Sequence, residues 1–327
     1  MQYQLVDKSR EGWIDALRGL AILFVMYGHS VRGGIFPEFF TFTSPIKMPL
    51  FFAISGYLFK PNVKFDYYCT QLTKKIIVPW FGLGILSIIP ILPIKGTSYI
   101  WDFILEMISG KALWFMPCFL FSQIIHFFIR KWSNNPLSII LLSFICFVLG
   151  MIAHHFGVLK FAMINRAFVV QPFYVIGIVF RRFESQIKEI KWFWIGGAFA
   201  LYFILCYLSK VIFPVTRLDI HLNLYYNIPY CLSLIFLGCF ILFIAASKCN
   251  FQSWIMSFLG QNTLVLYIMH GLFVGILVLT MDMLGYPLSK NIWTAFIKVF
   301  WACLCCGLLS IILNRYLPEL VGKRRIA

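Results

Sequence analysis

The sequence predicts an all-α, polytopic integral membrane protein of about ten transmembrane helices. Three observations carry this: apolar residues gather in runs long enough to cross a bilayer, charged residues are scarce, and Lys and Arg crowd onto alternate loops. Hydrophobic residues form 61% of the chain and charged residues only 12%, against about 25% charged in an ordinary soluble domain. A soluble surface cannot be built from that, and no stretch outside the apolar runs is long enough to bury a core of its own. One membrane domain over residues 1–327 is therefore expected, with no soluble domain after the last span. The first apolar run is expected to stay as a span rather than leave as a secretory peptide, because it carries Asp15, Arg18 and His29 and lacks a small-residue cleavage site.

A helix needs about 20 mostly apolar residues to cross about 30 Å of hydrocarbon. On that measure the spans fall at 13–31, 45–59, 75–94, 112–130, 137–156, 166–181, 192–210, 226–246, 261–281 and 293–314, the second and sixth being short. Between the third and fourth, Tyr99 to Ile108 sets Asp102 and Glu106 among apolar residues, the pattern of an amphipathic helix lying on the surface.

Lys and Arg are in excess on the cytoplasmic side of membrane proteins. With the spans alternating from an inside start, seventeen of the 28 Lys and Arg fall on inside segments and nine outside, while Arg18 and Lys298 lie within spans. Both termini are therefore expected in the cytoplasm, with the chain integral to the cell (inner or plasma) membrane. The same distribution accounts for the net charge of +16: topology demands these cations, so a lipid bilayer and not nucleic acid is the expected partner. The ten cysteines sit mostly inside apolar runs as small hydrophobes. The one cluster, Cys303, Cys305 and Cys306, has neither a second cysteine pair nor histidines at zinc spacing, so neither a metal nor a disulfide framework is expected.

Ionisable side chains inside a span are costly and mark functional sites by default. Asp15 and Arg18 are three residues apart, on one helical face, and are expected to pair. Eleven residues from Arg18 to His29 at about 100° each return to within about 20° of the same stripe, about 16 Å further along the axis. The two therefore stand at opposite ends of one continuous face. Histidine exchanges a proton near neutral pH, which makes His29 the candidate general base for activating a hydroxyl, with Arg18 and Asp15 beside it in the catalytic set. His270 lies near mid-membrane in the ninth span, placed to orient a substrate or to bond a neighbouring helix. His126, His154, His155 and His221 fall near span ends and are read as interfacial.

The segment from Arg10 through Trp13, Asp15 and Arg18 to Gly28-His29-Ser30 resembles the opening helix of the membrane-bound acyltransferase 3 family, whose hallmark is an arginine and a histidine separated by ten residues. Three further patches agree in order and spacing: Lys47-Met48-Pro49-Leu50-Phe51-Phe52-Ala53-Ile54-Ser55-Gly56-Tyr57-Leu58-Phe59, Leu113-Trp114-Phe115-Met116-Pro117 and Tyr267-Ile268-Met269-His270. The resemblance implies a multi-helix O-acyltransferase that takes an acyl group, most commonly acetyl, from cytoplasmic acyl-CoA. The acceptor it implies is a hydroxyl of a cell-surface polysaccharide or of its lipid-linked precursor.

On that resemblance His270, Tyr267, Ser55 and Trp114 are candidate substrate-binding residues. Relatives often carry an arginine-rich patch before the third span; here the corresponding residues are Lys74 and Lys75. With Arg181 and Arg182 on the same side, they are the candidates for holding the phosphates of the donor, acetyl-CoA. A transporter or flippase for a lipid-linked glycan is the alternative reading, since intramembrane charge suits it as well, but no inverted repeat or pair of broken helices is visible. A structural role, in which Asp15, Arg18 and His29 only hold helices together, is the third.

Overall fold

The computed structural model describes residues 12–30, 37–211, 217–249, 251, 253–289 and 291–323. Over these the chain is helical apart from one two-stranded hairpin, as the apolar runs predict. Of the seventeen Lys and Arg counted on inside segments, Lys8, Arg10, Arg324 and Arg325 lie outside the described residues.

Helix α1 (Gly12–Ser30) is a single unbroken element, so Asp15, Arg18 and His29 share one helix as their spacing requires. It forms the centre of the molecule: Trp13, Leu17, Ala21, Ile22, Val25 and Met26 are all buried, and the Trp13 ring meets Tyr57, Phe180 and Phe243. Two short helices follow, α2 (Pro37–Thr43) and α3 (Pro49–Leu58), each opened by a proline whose missing N–H is no loss in a first turn.

The third span differs from expectation. One 31-residue helix runs from Phe65 to Lys95, comprising α4 (Phe65–Leu72), a π turn (Thr73–Ile77), α5 (Val78–Ile88), a short 3-10 turn and α6 (Leu92–Lys95). Pro79 explains the π turn: it has no N–H for the carbonyl of Lys75, and the Val78 N–H bonds back to Thr73 instead. Lys74 and Lys75 sit in this turn. The expected amphipathic helix is α7 (Tyr99–Ser109), with Met107 buried and Trp101 and Leu105 exposed.

Next come α8 (Phe115–Trp132) and α9 (Pro136–His155), then α10 (Ile164–Val169) and α11 (Gln171–Arg182), which meet at a 47° bend. After α12 (Glu184–Glu189) and α13 (Trp192–Val211), strands β1 (Arg217–Asp219) and β2 (Leu224–Tyr226) pair antiparallel, Leu218 opposite Tyr225. The chain ends in α14 (Ile228–Lys248), α15 (Trp254–Gln261), α16 (Thr263–Met283) and α17 (Ile292–Tyr316). Helix α15 lies against α1 so closely that a Cβ on Gly260 would stand 1.8 Å from the Asp15 carbonyl oxygen. Only a glycine permits that approach.

Each of the ten expected ranges contains helix, but length and apolarity together qualify six of the described helices as spans, or seven if the bent α10–α11 pair is one. The shortfall has physical causes. Asp15, Arg18 and His29 dilute α1, while His126, Arg130 and Lys131 dilute α8. Helix α3 has ten residues, about 15 Å at 1.5 Å each, half the hydrocarbon thickness.

Contacts between the connecting segments sort into two layers. In one, Lys47 lies against Gly28, Trp114 stacks on His221, His154 bonds to Asn223 and Arg166 bonds to the hairpin turn. In the other, Tyr57 bonds to Glu184, Lys248 bonds to the Lys188 carbonyl, Gln261 bonds to Asp15 and Lys323 bonds to Asn262. This sorting follows the alternation of loops read from the sequence. Between the layers, α9, α13 and α17 expose Leu137, Leu141, Phe193, Trp194, Ile311 and Ile312, the apolar outer surface that lipid would cover.

Candidate active site

The site is built on the two ends of α1. At its first turn Asp15 is buried, and Arg18 Nη1 donates to Asp15 Oδ1 at 3.2 Å, so the expected ion pair is formed. The second carboxylate oxygen accepts from Gln261 Nε2, also at 3.2 Å. Asp15 is thus bonded on both oxygens, which is what a buried carboxylate requires. The Arg18 side chain remains 28% exposed.

At the far end, the rings of His29 and His270 stand 5.2 Å apart at an interplanar angle of 45°. His29 is exposed and His270 is buried. His270 Nδ1 lies 2.8 Å from the Leu266 carbonyl and 2.9 Å from that of Tyr267. Only an N–H can face two carbonyls, so a neutral His270 carries its proton on Nδ1 and leaves Nε2 as an acceptor. That fixes the orientation of the buried ring beside the exposed one.

The other motif residues assemble around this pair. The Phe115 N–H donates to the Tyr267 hydroxyl at 3.3 Å, and the two rings are 5.4 Å apart. Trp114 stacks on His221 at 5.2 Å, and Arg166 fastens that turn by donating to the carbonyls of Ile220 at 2.8 Å and His221 at 3.1 Å. Leu113 turns the chain into α8 with a left-handed backbone (φ +50°) that a leucine rarely adopts. Lys47 comes to the same place: a Cβ on Gly28 would stand 2.9 Å from its ammonium. The charge of Asp219 on the hairpin acts on the Lys47 ammonium. A closed circuit of neighbours results, from Lys47 to Gly28-His29, His270, Tyr267, Phe115-Trp114, His221, and through Asp219 back to Lys47.

Ser55 is not in this circuit; its hydroxyl donates to the Phe51 carbonyl of its own helix at 2.9 Å. In the opposite layer Lys74 and Lys75 are exposed on the π turn, and the backbone of Lys75 packs on Gly322. The next residue, Lys323, donates to Asn262 Oδ1 at 3.0 Å, adjacent in sequence to the Gln261 that holds Asp15. Arg181 serves the fold, its Nη1 donating to the carbonyls of Tyr57 and Phe59 at 3.0 and 3.1 Å, where α3 ends. Arg182 lies over the Phe183 ring.

Lys47, Arg166 and Asp219 were not marked by the sequence as site residues, and Lys323 counted there only as a topological cation. Lys47 opens one of the matched patches, which is the single signal that pointed to it. His126, expected at an interface, is fully buried and stacked on Tyr174 at 4.3 Å.

Residues 11–311 match a family model described as an acyltransferase domain, of the acyltransferase 3 type. No curated protein and no solved structure matches.

Proposed function

The chain belongs to the acyltransferase 3 family, and on that premise we propose that it moves an acyl group, acetyl for preference, from cytoplasmic acyl-CoA to a hydroxyl of a cell-surface glycan or its lipid-linked precursor. The observation that carries this reading is the division of α1 into two polar ends, Asp15–Arg18 at one and His29 beside His270 at the other.

Lys74 and Lys75, joined by Lys323, hold the donor phosphates at the cytoplasmic layer, where cations on one side of a π turn present several donors to an anion. Arg18, oriented by Asp15, receives the pantetheine arm. The thioester then points along α1 towards His29, a distance of about 16 Å. His29 takes the proton of the acceptor hydroxyl as its oxygen attacks the thioester carbonyl; the new ester bond forms, the carbon–sulfur bond breaks, and the protonated His29 returns its proton to the departing sulfur, so that CoA leaves as the thiol. His270, with Nε2 as an acceptor, orients His29 or the hydroxyl. Trp114 and Tyr267 shape the acceptor side of the site. Arg181 contributes by closing α3 rather than by binding the donor.

The test is acyl transfer by the purified protein in nanodiscs, supplied with labelled acetyl-CoA and a membrane glycan extract. Labelled ester on the glycan, dependent on the protein, supports the reading. Protein-dependent movement of a lipid-linked sugar without any thioester would replace it with the flippase alternative.

A further inference from the structure

Lys47 is a cation that topology does not call for. Lys and Arg gather on cytoplasmic segments because membrane orientation demands them there, whereas Lys47 stands in the opposite layer, against Gly28. Its side chain is half-buried, and among the described residues its ammonium makes neither a hydrogen bond nor an ion pair. It lies 4.8 Å from the centre of the Phe40 ring. A charge drawn partly out of water without a bonded counter-charge is costly, and one aromatic ring cannot take up three N–H donors.

The neighbouring charges are committed elsewhere. Asp219 Oδ1 accepts from the Leu222 N–H at 2.9 Å and so closes the hairpin turn, although its charge still acts on Lys47. Arg166 fastens the same turn through the carbonyls of Ile220 and His221. Lys47 alone of these three charges is not bonded into the turn. Its place is fixed by Gly28, where an added Cβ would stand 2.9 Å from the ammonium, and the next residue along α1 is His29. A cation with donors to spare therefore stands beside the candidate base, on the acceptor side.

We infer that Lys47 reads an anionic group on the acceptor: the glycan carries an acidic sugar whose carboxylate or phosphate monoester bonds to Lys47 while a hydroxyl of the glycan meets His29. This rests on the acyltransferase reading and narrows its acceptor from any glycan to an acidic one. A lysine is a compact point charge with three donors, so it takes either anion. The charge-assisted bond sets the register of the sugar as well as its affinity.

The experiment uses the full chain in nanodiscs with a membrane glycan extract in three forms: untreated, carboxyl-reduced, and stripped of phosphate monoesters by phosphatase. Two readouts are taken on each, retention of the glycan without donor and transfer of label from acetyl-CoA. One of the two treatments is expected to lower both readouts about tenfold or more, the loss of one charge-assisted contact, and which treatment does so names the anion. Lys47→Gln lowers both by a similar factor on the untreated extract and adds nothing on the extract that has lost its anion, as the two halves of one contact must. Lys47→Arg keeps both, and a thermal melt shows each variant folded. Wild type that retains and acylates all three extracts equally overturns the proposal and leaves the acyltransferase reading standing. A loss in Lys47→Gln that is the same on all three extracts does so too, because Lys47 then supports the site without reading charge. Retention in the expected pattern with no label transferred removes the acyltransferase reading and leaves the anion contact standing. No retention and no transfer on any extract overturns both.

Discussion

His29 at the end of the first long helix and His270 in the penultimate one stand ring to ring, 5.2 Å between centroids. One is exposed and the other is buried with its Nδ1 proton committed to two backbone carbonyls. An exposed imidazole beside a buried one of fixed tautomer is an arrangement for holding a proton acceptor in one orientation. Residues that act as such a unit are expected to show strongly non-additive losses. His270→Ala should lower turnover less than His29→Ala, and the double variant should be no slower than His29→Ala alone, measured as initial rates of acyl transfer.

The proposed donor mouth draws on cations of two segments. Reversing Lys74 and Lys75 together to Glu should weaken acyl-CoA binding by about tenfold or more, and Lys323→Glu should weaken it further, since the turn after α17 brings that residue to the π turn. Stability should hardly change for Lys74 and Lys75, because exposed charges contribute about 0–1 kcal/mol. Arg181→Ala should do the reverse, lowering the melting temperature through the lost carbonyl contacts and leaving donor affinity as it was. Isothermal titration with acetyl-CoA and thermal melts separate the two patterns.

Asp15 and Arg18 are expected to divide folding from function. Arg18→Ala removes the guanidinium from a buried carboxylate that Gln261 also holds, a loss on the order of 1–3 kcal/mol given that Arg18 is partly exposed. Adding Asp15→Ala removes that carboxylate and should recover the melting temperature. It should not recover the raised donor constant, which depends on the guanidinium.

Two glycines should respond differently to the same methyl group. At Gly260 the new Cβ would meet the Asp15 carbonyl oxygen at 1.8 Å. Backbone must move there, so Gly260→Ala should destabilise by about 1–3 kcal/mol or more. At Gly28 it would meet only the tip of Lys47, at 2.9 Å. A flexible side chain can yield, so Gly28→Ala should fold normally while losing acceptor turnover, as kinetics beside a melt would show.

The all-α class and the site helix were legible because both follow from local pattern: apolar runs name helices, and an eleven-residue interval fixes two side chains to one stripe. The Asp15–Arg18 pair was legible for the same reason. The π turn was not, although its cause, Pro79, stands in the sequence; a proline predicts a lost bond, not how the carbonyls re-pair. Nor was the place of Lys47, because the glycine that admits it is nineteen positions away and their contact is tertiary. The bonds of Arg181 to the Tyr57 and Phe59 carbonyls were not legible either, since a cation at a helix end serves equally as a phosphate ligand or as a cap on another helix. Span counting was weakest at α1 and α8, where the polar residues that make a helix interesting also lower its apolarity.

The central claim is that His29 removes the acceptor proton. The measurement that tests it most directly is single-turnover acyl transfer from labelled acetyl-CoA by wild type and His29→Ala in nanodiscs, with donor affinity and a thermal melt recorded on the same samples. General base catalysis contributes about 10²- to 10⁴-fold, so the folded variant should be slower by about that factor with its donor affinity nearly unchanged. A folded His29→Ala protein that transfers the acyl group at the wild-type rate would contradict the account.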